Sequence, residues 1–306
     1  MKQITYGIEK FGKLKAVMLH RPEKSIRKVT ASNIKYFLFD RIPDVEKYLE
    51  EHHRYGQVLE QNGVTVYQLS ELVIRNTELV ERLPNLAYLH DIAVISTRGA
   101  VLSKMASQGR GHEEIPVLEA LHALGISKLY EPKEGDVFEG CLLLDPNTVF
   151  IANTERHNSA SIQRFIDFIP DYFSTVVYAI IPKARRFMHP DMILGRMTEN
   201  LMVYYAPAFL NTYLVTKTGI TQINIREWMK NRRIALFPIS DGEQKRWGTS
   251  FVPLEPGLII NYDISLEPQT IKSLEGEGIR FIHFHPDALL AGGGSLRCLT
   301  MRLYRE

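Results

Sequence analysis

The sequence predicts an α/β fold built from five copies of one unit: a β-hairpin, then a helix, then a further strand. Three observations predict it. Pairs of β-rich segments broken by a tight turn recur roughly every fifty residues along the 306-residue chain. Short amphipathic helices with recognisable start and stop residues lie between them. No low-complexity or Pro/Ser-rich linker divides the chain, so a single domain over residues 1–306 is expected.

The elements follow in order. KLKAVMLH (13–20) is the first strand. Residues 43–63 form a helix that opens on a proline suited to a first turn and stops at Asn62-Gly63. VTVYQL (64–69) is the next strand. Hairpins are expected over 91–105, over 137–152 with Asp-Pro-Asn as the turn, over 187–205, and over 249–262 turning at Pro-Gly. Further helices are expected over 112–124, 158–169, 222–231 and 268–276, and single strands over 175–181, 232–239 and 279–284. Residues 296–304 read as a last strand, which pairs with 13–20. Five such units, closed end to start, make a ring without free sheet edges. An ordinary mixed α/β sandwich fits the same pattern.

Composition narrows the function. Hydrophobic residues make up 45% of the chain, enough for a large core. The net charge of +2, with signs mixed, gives no basic surface for nucleic acid and no membrane patch. No apolar run is long enough to span a bilayer. The N-terminal residues lack a signal-peptide core, and there are only two cysteines, so a cytoplasmic protein with free thiols is expected. Cys141 and Cys298 lack metal-ligand spacing, so no zinc site is expected.

Polar residues stand at the openings of the hairpins. Asp91 opens the first, Glu139 lies near the start of the second, His189 and Asp191 open the third, and Cys298 lies in the last. Equivalent positions of a ring converge on its axis. An His-x-Asp pair in a strand would put both side chains on one face. Singly, each has a structural reading. Cys298 is a small core hydrophobe, as Cys141 is in GCLLL; His189 and Asp191 are turn residues or metal ligands; Asp91 is a turn cap; Glu139 is a solvated carboxylate. Together they form a reagent set: a thiolate nucleophile, a histidine to move protons, a carboxylate to orient it, and two aspartates forming an anionic fork. The natural partner of such a fork is a guanidinium.

These residues sit in longer stretches that resemble the arginine deiminase branch of the guanidino-group-modifying enzymes, the pentein superfamily. The stretches are GKLKAVMLHRPEKSI (12–26), FLFDRIPDVEKYLEEHHRYGQVLEQNGVTVYQL (37–69), PNLAYLHD (84–91), FEG (138–140), TERHN (154–158), MHPDM (188–192), PGLIINYD (256–263) and GGGSLRCLTM (292–301). The resemblance implies a five-bladed α/β propeller of pseudo-symmetric ββαβ units. It implies Cys298 as nucleophile, His189 as general acid/base supported by Glu139, and Asp91 and Asp191 as the guanidinium clamp. Arg110 and Arg156 match arginines that hold the substrate's carboxylate, Asn85 a contact to the amino-acid end, and Tyr88 an aromatic lining the pocket.

The chain departs from the family at named points. Gly293 stands where an arginine usually precedes the cysteine by five residues, His90 where an arginine precedes the clamp aspartate, and Leu142 where an aspartate follows the Glu-Gly motif. The helical segment usual before Pro-Asn is missing. The expected activity is hydrolysis of the guanidino group of arginine or a similar compound, without metal or organic cofactor. The expected partner is a small guanidino molecule; a homo-oligomer is compatible with the sequence but not read from it. Transfer of the amidino group to an amine is the runner-up, which Arg297, in place of the histidine usual before the nucleophile, disfavours. Complete hydrolysis to ornithine and ammonia is a further variant, and a non-catalytic guanidino-binding protein the reading of a different class.

Overall fold

The computed structural model describes residues 3–306. In it the hairpin–helix–strand unit occurs five times. In four of the units a tight turn returns the chain antiparallel; in the remaining one the antiparallel pair is the first and last strands of the chain; in all five a helix precedes the third strand, which joins parallel. Leu14–Leu19 lies between Met301–Arg305, antiparallel to it, and Thr65–Gln68, parallel to it. The expected pairing of the first strand with the last is therefore present. Ala93–Ser96, Gly99–Leu102 and Lys128–Tyr130 form the second sheet. Leu142–Asp145, Thr148–Asn153 and Thr175–Ile180 start the third, Leu194–Arg196, Leu201–Tyr204 and Ala235–Pro238 form the fourth, and Val252–Glu255, Leu258–Tyr262 and Arg280–Phe284 the fifth. None of the five sheets closes on itself.

Helices bury one stripe against these sheets. Val45–Gln61 turns Tyr48, Leu49, Tyr55 and Leu59 inward, where they pack in one cluster with Val17, Leu19 and Ile260. Each such side chain, fully buried, stabilises the fold by about 2 kcal/mol before entropy is counted. Asp44 caps this helix by accepting the Lys47 N–H, and Asn158 caps Ser159–Phe168 by accepting the Ser161 N–H at 2.8 Å. No helix among the described residues is long and apolar enough to cross a membrane.

Several local expectations need correcting. The third sheet has five strands, because an extra hairpin, Asn211–Thr216 with Gly219–Ile223, adds to the edge of Thr175–Ile180. Residues 222 and 223 therefore belong to a strand, and the helix expected from 222 starts at Ile225, where Asn224 accepts the Arg226 and Glu227 N–H groups. The strand expected over 64–69 ends at Gln68, and Leu69–Leu72 turns helical. The strand expected over 296–304 begins only at Met301. Its first part, Leu296–Leu299, is one helical turn, because the Ser295 side chain accepts the Cys298 N–H. His189 precedes a 3-10 turn, Pro190–Met192, and Asp191 lies within it, so neither stands in a strand; Pro190 holds the first position of the turn.

Candidate active site

A short offset of two or three residues recurs from unit to unit. Asp91 ends two residues before the strand Ala93–Ser96, Glu139 three before Leu142–Asp145, Asp191 three before Leu194–Arg196, and Cys298 three before Met301–Arg305. The chain enters each hairpin from the same end, so these entry turns gather at one place. Asp91, Glu139, His189 and Cys298 line a single small cavity of ≈ 30 Å³, together with Leu38, Asn85, Tyr88, Arg110, Arg156, Arg185 and Gly292 to Gly294. That volume has room for about two waters. A roomier hollow of ≈ 410 Å³ around His20, Arg21 and Gln68 contains none of the expected residues, and the chemistry directs attention to the smaller one.

His189 is held at one ring nitrogen and free at the other. Nε2 lies 2.7 Å from Glu139 Oε2, while Nδ1 makes no hydrogen bond and stands 3.5 Å from Asp91 Oδ1. Glu139 also accepts the Ala106 N–H at 2.6 Å, which fixes the carboxylate that orients the ring. Asp91 Oδ2 accepts from Arg110 Nη1 at 2.8 Å, and Arg110 is bound again by buried Glu113. The Cys298 Sγ lies 3.4 Å from Ser295 Oγ, which lies 2.7 Å from Ser250 Oγ, which donates to Asp191 Oδ2 at 2.5 Å. Ser250 has one proton, and the carboxylate takes it; Ser295 must then donate to Ser250, leaving the Cys298 thiol to donate to Ser295. The chain of hydrogen bonds thus runs one way, from thiol to Asp191.

The arginine deiminase family model matches residues 73–305. The chain belongs to the arginine deiminase family. Members are hydrolases acting on carbon–nitrogen bonds of linear amidines. The arginine deiminase of Mycoplasma capricolum subsp. capricolum is 23% identical, over 96% of this chain and 96% of that protein. Among solved structures of the pentein type, unliganded AgrE matches with a TM-score of 0.72 and 18% identity over 94% of this chain; the match spans 39% of the AgrE chain. The substrate-bound N-terminal domain of ArgZ, a cyanobacterial arginine dihydrolase, matches with a TM-score of 0.71 and 16% identity, over 94% of this chain and 97% of that one.

Burial and neighbouring charges set the protonation state of each group at the cavity. Burial works against charge on Glu139, but His189 first, then Arg156 and Arg110, hold its carboxyl down at about 2. Burial likewise opposes a charged His189, yet Asp91, the Glu139 hydrogen bond and Asp191 outweigh it and keep the imidazolium favoured. Asp191 is buried too, and His90, Arg297 and His189 keep it ionised. Burial first, then Asp91 and Asp191, push the Cys298 thiol up to about 12. Cys298 therefore rests as a thiol, held so by burial and by two nearby carboxylates. A cation placed between them would remove the charges that raise it. Cys141, buried in the core, is likewise pushed up, to about 12, by burial alone.

Not every expected residue stands where expected. Asp191 is one layer back from the cavity, held by Ser250 and 3.6 Å from Arg297 Nε, so the two aspartates do not form an open fork in this state. Asn85 lines the cavity but spends its amide on the Phe37 carbonyl at 2.7 Å. Arg156 makes only long contacts, 3.8 Å to Glu139 and 3.4 Å to Glu155. Two of the glycines before Cys298 make room for Tyr88: a Cβ on Gly292 would fall on the Tyr88 hydroxyl, and one on Gly294 would sit 2.6 Å from its ring. Ser250 and Ser295 escaped the sequence reading. Ser250 stands two residues before Val252–Glu255, as Asp91 does before Ala93–Ser96, so the two- to three-residue spacing of the other units would have found it. Arg185, four residues before His189, also lines the cavity and carries no motif signal.

Proposed function

We propose that this protein hydrolyses the guanidino group of arginine or an arginine-like compound through a covalent amidino-thioether on Cys298. The observation that carries the reading is the convergence of Cys298, Asp91 and the unpartnered Nδ1 of His189 on one cavity, with Glu139 fixing the other ring nitrogen. The guanidinium binds against Asp91 at the cavity wall, with Asp191 one layer behind it, and its charge offsets the two carboxylates that keep the thiol protonated. Cys298 releases its proton to solvent, and the thiolate sulfur attacks the guanidino carbon. The charged His189 gives its Nδ1 proton to the departing nitrogen, which leaves as ammonia. Neutral His189 then takes a proton from water; the hydroxide adds to the same carbon, and the carbon–sulfur bond breaks. The product is a ureido compound, citrulline if the substrate is arginine. No step calls on a metal, and among the described residues no three His, Cys, Asp or Glu side chains are set to hold one.

Residues 1–306 serve this reading as one catalytic unit without the helical insertion usual in the family. The five sheets act as blades of a ring around the cavity, in a cytoplasmic enzyme. The test is incubation with arginine, measuring ammonia and citrulline, beside Cys298→Ala. The variant is expected to lose turnover by at least about a thousandfold; unchanged turnover would rule out the covalent route. A second reading is supported by the near-complete two-way overlap with the ArgZ domain. Two ammonia and one ornithine per arginine would select it over citrulline formation.

A further inference from the structure

We propose that Arg185 is the cation that binds the carboxylate of the substrate's tail, and that Asp40 is its built-in stand-in, exchanged for that carboxylate as substrate enters. The inference rests on the guanidino-hydrolase reading and adds a selectivity to it: guanidino acids over guanidino amines.

Three arginines face the cavity, and they differ in what already holds them. Arg110 is buried and commits three nitrogens to Asp91 and Glu113 at 2.8 to 3.0 Å. Releasing it would leave two buried carboxylates unpaired, so it acts as a positioning residue for Asp91. Arg156 is fixed loosely at the Glu139 end. Arg185 is different. Its side chain is 45% exposed, and its partner Asp40, at 3.1 Å, is 57% exposed. A pair this open is worth little, so one carboxylate can replace another there at small cost.

The surroundings of Asp40 support the exchange. Leu38, which lines the cavity, lies two residues before Asp40, and its carbonyl accepts from Arg185 Nη2 at 2.8 Å. The Asp40 N–H donates to the Ala291 carbonyl at 2.8 Å, which lays this segment against the glycine loop. Gly293 has φ +72°, and a Cβ there would meet Asp40 Oδ2 at 2.5 Å. A bare backbone at 293 is what leaves space for a carboxylate next to Arg185. The closed cavity therefore satisfies itself at both ends: Arg110 occupies the carboxylate that faces the guanidinium end, and Asp40 occupies the cation that faces the tail. An amino acid with a guanidino side chain presents the two complementary groups.

The experiment compares wild type, Arg185→Gln and Asp40→Asn, with arginine as substrate and agmatine, which lacks the carboxylate, as competitor. Arg185→Gln is expected to raise the arginine KM roughly ten- to a hundredfold, with kcat within about threefold and the agmatine inhibition constant nearly constant. Asp40→Asn removes the competing carboxylate and is expected to lower the arginine KM. An equal loss against arginine and agmatine in Arg185→Gln would make Arg185 a structural residue and overturn the proposal. So would a rise in arginine KM in Asp40→Asn, because the pair itself would then be what matters. Wild type that hydrolyses agmatine but not arginine overturns this proposal and leaves the guanidino reading standing. Wild type that releases ammonia from neither overturns both.

Discussion

Glu139→Gln keeps the shape of the side chain that orients His189 and removes its charge. The carboxyl, at 4.5 without its surroundings, is held at about 2 in the folded protein. A difference of that size corresponds to about 3 kcal/mol of stability at neutral pH. Glu139 is depressed, so its contribution is present above 4.5 and lost as pH falls towards 2. His189 is raised above 6.5, so its contribution is fully present below that value and lost as pH rises through the folded one. Both groups carry charge only between these limits. The advantage of wild type over the variant is therefore widest between about pH 5 and 6.5, and narrows on either side. Part of it persists in alkali, because Arg156 and Arg110 stay charged beside Glu139. Urea unfolding of both proteins from pH 4 to 9, read by tryptophan fluorescence, measures the gap directly. A gap constant across that range, or a variant as stable as wild type at pH 6, would refute the pairing. Activity is expected to fall by roughly a hundredfold or more, since the imidazole loses the partner that fixes its ring.

Two further predictions follow from contacts at the same site. Gly292→Ala sets a methyl group on the Tyr88 hydroxyl, which already accepts a hydrogen bond from Tyr48 at 3.3 Å; a loss of about 1–3 kcal/mol in urea unfolding and a fall in turnover are expected. Ser250→Ala strips buried Asp191 of its hydroxyl donor, and a drop in stability of about 1–3 kcal/mol is expected, smaller in the double variant with Asp191→Asn because the lost partner no longer faces a charge.

The sequence carried the hairpins well because each is written twice, once in alternating apolar residues and once in turn chemistry such as Asp-Pro-Asn or Pro-Gly. The extra hairpin ending at Ile223 was harder. Its outer strand, Gly219–Ile223, is exposed along nearly its whole length, so no apolar alternation marks it, and its end ran into the helix that follows. LRCLTM at 296–301 suits a strand or a helical turn equally. What decides is the hydroxyl of Ser295 reaching the Cys298 N–H, a contact that letters do not carry. That Asp91, Glu139, His189 and Cys298 meet in one cavity was legible because these residues are chemically distinctive and recur at similar places in the repeat. Ser250 belongs to the same series but is a common surface residue type, and Arg185 is one of many cations on the chain; only proximity gives either a role.

The hydrogen bonding of Leu14–Leu19 to Met301–Arg305 sets an order of events during synthesis. The first strand leaves the ribosome early and waits for a partner some three hundred residues downstream, the slowest kind of contact for a chain to make. Cys298 lies on the turn that delivers that partner. A chain interrupted before residue 298 has neither the closing strand nor the Cys298 sulfur. Completion of the first sheet and arrival of Cys298 are thus one event, and an unfinished molecule lacks the thiol on which the proposed reaction depends.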